Sequence, residues 1–174
     1  MPHTETTRPE AHEAMPYYST YIDKVPPGDI RKILEKQKGE TRSFLKGISE
    51  KKSRYRYADG KWTIRQVLGH INDCERLFVS RAFWFARGFD SPLPSFEQEV
   101  AVTEGGADGI SWARHVEEFA VVRTATAVFF RNLPNAAWLR KGVASGNPFT
   151  VRALAWIAAG HVVHHIGVLK ERYL

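Results

Sequence analysis

Apolar residues recur at three- and four-residue spacing in four stretches of the chain. Between them the pattern lapses into clusters of Pro, Gly, Asn and Ser. The first stretch follows "PPGD" and carries Ile30, Ile33, Leu34, Phe44, Leu45 and Ile48 on one side. Gln37 and Thr41 interrupt its stripe, Gly39 weakens it, and Gly47 with "SEKKSR" marks its end. In the second, Thr63 stands three residues before Gln66, the spacing of a capping box. This predicts a helix from Ile64 to about Arg87, with Gly88 placed to end it. Val67, Ile71, Cys74, Phe78 and Phe85 give its period. The third helix is predicted from about Ser111 to Asn132, on Trp112, Val116, Phe119, Val122, Ala125 and Phe129. The fourth is predicted from Thr150, as N-cap, nearly to the C-terminus.

No βαβ alternation and no internal repeat interrupts this pattern. Four mostly amphipathic segments of about 20 residues predict an all-α protein, a four-helix bundle. The connection "GFDSPLPSFEQEVAVTEGGADG" is long and rich in Pro and Gly. It allows an order other than simple up-down-up-down, and loops of that length are usually functional or bridge distant ends. Residues 1–20 are polar and predict a flexible N-terminal arm, with residues 21–174 as one bundle domain.

Composition narrows the function classes. The one cysteine, Cys74, excludes an intrachain disulfide and fits a reducing compartment, so the expected location is the cytoplasm. No apolar run is long enough for a membrane span, and the N-terminal stretch has no apolar core of a secretory signal. The net charge is +6, with twelve Lys/Arg against four Asp/Glu between Arg31 and Arg65. Interleaved with Tyr55 and Tyr57, that stretch has a pattern that can track a nucleic-acid backbone. No nucleic-acid motif accompanies the charge, and a solvated helix face followed by a basic loop explains it equally.

The histidines are the anomaly. "GHVVHHIGVLKERYL" places His161 and His165 one turn apart, on the stripe Leu154, Ala158, His161, His165, Val168 that should face the bundle interior. His164 lies about 100° round the helix and reaches that interior less naturally. His70 aligns with Val67, Cys74 and Leu77 on the second helix, again inward. Each buried imidazole needs a partner or costs about 1–3 kcal/mol. A hydrogen-bonded polar core and a shared divalent metal both answer that need. Three neutral imidazoles would leave one coordination position open, the layout of a catalytic zinc site. Gly69 and Gly160 precede two of these histidines, and close helix approach would explain both. Glu75, Arg76, Arg81 and Arg123 are further polar residues near inward faces; Glu75 could orient a histidine or form a helix-face ion pair. Cys74, one turn from His70, is a rival ligand, though its stripe argues for packing.

"YADGKWTIRQVLGHINDCERLFVSRAFWFARG" and "FTVRALAWIAAGHVVHHIGVLKERY" resemble the DinB / YfiT-like superfamily of metal-dependent four-helix-bundle proteins. The likeness runs from "YIDKVPPGDI" onward and is most specific at Lys61–Trp62, Gly69–His70 and Gly160–His161 with its HxxxH. It implies an up-down-down-up order with a long crossover, and a divalent metal on His70, His161 and His165. Zinc is the first expectation, with nickel or iron as alternatives. Relatives include thiol S-transferases, mycothiol-dependent isomerases and hydrolases. The expected partners are therefore a small-molecule substrate, such as a low-molecular-weight thiol, and a second copy in a homodimer.

Overall fold

The computed structural model describes residues 4–174. After a short helix α1 (Ser19–Ile22) come α2 (Ile30–Lys46), α3 (Ile64–Ala86), α4 (Gln98–Glu104), α5 (Trp112–Arg131) and α6 (Val151–Val168). A π-helical turn, Leu169–Tyr173, continues α6. The start signals act as read. The Thr63 side chain accepts from Gln66 N–H at 3.1 Å while Gln66 accepts from Thr63 N–H at 2.8 Å. Thr150 caps α6 by accepting from Ala153 N–H at 3.0 Å. Gly88 takes φ +81° just past α3, a conformation that suits glycine.

Four long helices form the bundle: α2, α3, α5 and α6. At one end, Ile30 and Leu34 from the start of α2 meet Phe78 and Phe85 late in α3, Phe130 late in α5 and Leu154 early in α6. At the other, Leu45 late in α2 meets Ile64 at the start of α3, Trp112 at the start of α5 and Ile166 late in α6. So α2 and α6 run one way and α3 and α5 the other, which is the up-down-down-up order. Both α2 and α3 pack on α5 and α6, which sets α2 and α3 across the diagonal. The crossover from α3 to α5 carries α4, a helix that the Pro- and Gly-rich reading of this connection did not predict.

Two further features lie outside the sequence reading. Lys141–Ala144 (β1) and Asn147–Thr150 (β2) pair antiparallel across a Ser145–Gly146 turn, both residues at positive φ. The hairpin binds the crossover, through Leu93 N–H to Val143 O at 2.9 Å and Ser145 N–H to Leu93 O at 3.1 Å.

The N-terminal segment, expected as a flexible arm, is laid against α6. Every residue from Val151 to Val162 is buried, so this helix is covered all round rather than along one stripe. The N-terminal segment supplies the missing wall. Glu13 is buried in an ion pair with Arg152 and accepts from Thr150 Oγ1 at 2.6 Å. Arg8 lies over the Trp156 ring and donates to Ile22 O and Val25 O. A polar segment reads as solvated, but here its charges are spent on the helix it covers.

Candidate metal centre

His70 from the first third of α3 meets His161 and His165 from the second half of α6. The antiparallel run of these two neighbouring helices puts those positions at one level. His70 Nε2 and His165 Nε2 each stand 3.1 Å from His161 Nε2. The three ligand atoms all lie within 4.8 Å of one another. Nitrogens held tetrahedrally at about 2.0–2.1 Å from one ion would be about 3.3–3.4 Å apart.

The hydrogen-bonding alternative does not close. His161 Nε2 carries either one hydrogen or one lone pair, so it can serve His70 or His165 but not both. Protonation does not help either. Burial, with the charge of His164 second, holds His70 down at about 4. Burial and the neighbouring His70 hold His165 at about 3. His161 lies well below the ordinary imidazole range, from burial first and then His165. Three neutral imidazoles with converging lone pairs fit a divalent cation. The rings are braced by aromatic contacts: Trp62 on His70 at 4.9 Å between centroids, and Tyr21 and Phe78 on His161 at 5.3 and 5.6 Å.

The other candidates separate from the triad. His164 is half-buried, stacked edge-on to Tyr21 at 5.4 Å and outside the cluster. Cys74 Sγ stands 3.6 Å from His70 Nδ1 but does not join the convergent set. Burial pushes its thiol up to about 12, so it is protonated. Glu75 touches no histidine. It forms a buried ion pair with Arg123 of α5 at 2.7 Å, rather than orienting a ligand or lying on a helix face. Arg76 is half-exposed and reaches Glu118. Arg81 turns inward to the hairpin and crossover.

The glycines do not bring α3 and α6 together. A Cβ on Gly160 would fall 2.1 Å from Tyr21 O, so this glycine admits the backbone of α1. A Cβ on Gly69 would meet Ala107 at an ordinary 3.6 Å. The basic stretch is also partly consumed. Arg65 is fully buried and donates to Ser53 Oγ, Ile110 O and Glu50, while Arg31 pairs with Asp29.

Three cavities reach the triad; the smallest, about 90 Å³, touches only His70 of it. One of about 160 Å³ is lined by His70, His161, Cys74, Tyr18, Tyr21 and Arg81, among others. A second, of about 320 Å³, is lined by His165, His164, Trp62, Glu99 and Tyr173. Sequence reading missed the tyrosines of the 160 Å³ cavity because Tyr17 and Tyr18 lie in the presumed arm and Tyr21 directly follows it. Their clustering as "YYSTY" (Tyr17, Tyr18, Tyr21) was the available signal.

Comparison with known proteins places the fold and the family. A search of curated proteins returned no match. Among solved structures the fold is similar to that described as "YfiT from Bacillus subtilis is a probable metal-dependent hydrolase with an unusual four-helix bundle topology". The TM-score is 0.68 at 14% identity, covering 94% of this chain and 89% of that one. Among the described residues, no helix is long and apolar enough to cross a membrane. The family model described as "DinB superfamily" matches residues 33–169, which contain all three convergent histidines. The chain belongs to the DinB superfamily.

Proposed function

We propose that His70, His161 and His165 hold one divalent metal ion, and that the protein is a metal-dependent enzyme acting on a small molecule in the adjoining cavity. The observation that carries this reading is the convergence of three neutral imidazoles, His70 and His161 buried and His165 partly so, whose Nε2 atoms meet at one level of the bundle. Zinc is the first candidate for three nitrogen donors, followed by nickel and iron. When bound, such an ion lowers the pKa of a coordinated thiol or water, so that the nucleophile exists near neutral pH.

The chain supplies the rest. Its three histidines would leave a tetrahedral position free, with Cys74 standing outside the convergent set. Trp62, Tyr21 and Phe78 hold the imidazole planes. The Tyr21 phenol, raised by burial and by Tyr17, stays protonated and can donate to a bound group.

Thiol transfer to an electrophile is the preferred reaction class, following the family resemblance. Hydrolysis is the second reading, favoured by the description of the structurally similar YfiT. Elemental analysis of untagged protein should find close to one metal per chain. Each of His70→Ala, His161→Ala and His165→Ala should lose it. The loaded protein would then be assayed for conjugation of low-molecular-weight thiols and for ester or amide hydrolysis. Absence of stoichiometric metal, or equal metal in the triple-histidine variant, would end this reading.

A further inference from the structure

Among the described residues four arginines are buried: Arg65, Arg81, Arg123 and Arg152. Three have a carboxylate, namely Glu50, Glu75 and Glu13. Arg81 has none. It is 3% exposed, and no Asp or Glu contributes to its electrostatic surroundings. Its Nη2 is fully used, donating to Pro94 O at 3.0 Å and Ser145 Oγ at 2.8 Å. Its Nε–H is buried and donates to nothing. A buried cation without a counter-charge is costly, as is a buried donor without an acceptor.

The guanidinium lines the 160 Å³ cavity whose other end is His70 and His161. No carboxylate lines that cavity, and Arg81 is its one Lys or Arg. The walls between are aromatic and apolar, from Tyr18, Tyr21, Phe78, Phe96 and Leu77. Arg81 follows His70 by eleven positions on α3, a rise of about 16 Å, and helical side chains lean back toward the N-terminus.

We infer that Arg81 is the docking group for a carboxylate, so that the cavity takes a small monocarboxylic acid with an apolar or aromatic body lying toward the histidines. A carboxylate supplies the counter-charge that Arg81 lacks, and its oxygen can accept a charge-assisted hydrogen bond where the hairpin and crossover leave the guanidinium unpaired, beside the Tyr18 hydroxyl. A single cation suits a monoanion better than a phosphate dianion. That this acid is the substrate rests on the proposed metal chemistry. That it binds does not.

Calorimetric titration of the full chain, freed of metal by chelation, with benzoate, benzamide and phenyl phosphate tests the inference. Benzoate should bind at least ten-fold more tightly than benzamide and more tightly than phenyl phosphate. Arg81→Lys, which keeps the charge but not the position of the guanidinium donors, should lose ten-fold or more. The half-exposed Arg76, whose change to Lys should leave benzoate binding like the parent's, is the control, and the titration itself needs no metal. This separates failure of the metal reading from failure of this one. Arg81 also anchors the crossover, so the unsubstituted protein gives a second readout. Benzoate, and not benzamide, should shift the Arg81 Nε–H resonance of ¹⁵N-arginine-labelled protein. Equal affinity for benzoate and benzamide, tighter binding of phenyl phosphate, an unmoved Nε–H signal or full benzoate affinity in Arg81→Lys would overturn the proposal.

Discussion

Replacing Glu75 by Leu leaves Arg123 as a cation with no counter-charge in the middle of the bundle. Both groups are buried, Arg123 at 0% and Glu75 at 2% side-chain exposure. Removing one partner of such a pair typically costs about 3–5 kcal/mol. Arg123 keeps two acceptors, Gln37 Oε1 at 2.8 Å and Ala158 O at 3.4 Å, so the low end, about 3 kcal/mol, applies. With a urea slope of about 2 kcal/mol/M, the unfolding midpoint should fall by about 1.5 M. Removing the charge as well, in Glu75→Leu/Arg123→Met, should recover most of the loss, because apolar replacements of a buried pair are often neutral or stabilising. Urea unfolding of metal-free protein at pH 7, followed by circular dichroism, measures all four corners of the cycle. A midpoint for Glu75→Leu within about 0.3 M of the parent, or losses that simply add in the double variant, would refute the reasoning.

The metal-free protein should weaken on acidification. The imidazole of His70 falls from about 6.5 in the unfolded chain to about 4 in the fold, so the unfolded chain takes up the proton first. Its contribution is intact above about pH 6.5 and is lost as the pH falls toward 4, amounting to about 3 kcal/mol. Urea midpoints across that window should drop, and His70→Gln should flatten the slope. Gly160→Ala should destabilise by about 1–3 kcal/mol, because its Cβ strikes Tyr21 O, whereas Gly69→Ala should be neutral or gain up to about 1 kcal/mol from helix propensity. Differential scanning calorimetry of the two variants separates them. Cys74→Ser should retain full metal occupancy by elemental analysis, as should His164→Ala. Loss in either would redraw the ligand set.

The triad was legible because two simple signals coincide, histidines four apart on an apolar stripe and a third on another inward face. Helix bounds were legible where a cap announced them, at Thr63 and Thr150. Gln37 and Thr41 looked like flaws in the α2 stripe. Both are buried, and Gln37 both accepts from Arg123 and donates to Ala159 O at 3.0 Å. That role depends on a partner 122 positions away, which no local pattern encodes. Arg81 was visible as an inward polar residue, but its isolation was not. That depends on which acids fail to reach it once the crossover and hairpin close. The hairpin itself is short and turns on Ser145–Gly146, so it offers little alternation to read.

The helix order has a consequence for synthesis on the ribosome. Because α2 and α3 lie across the diagonal, the first two long helices to emerge have little to pack on each other. Their shared neighbours, α5 and α6, come later. His70 must wait for His161, 91 positions downstream, about 5–20 s at common elongation rates. Glu13 waits longer still, 139 positions, for Arg152. Until then the nascent chain carries exposed apolar stripes and an isolated imidazole. The proposed metal is therefore expected to enter a finished protein rather than to template a growing one.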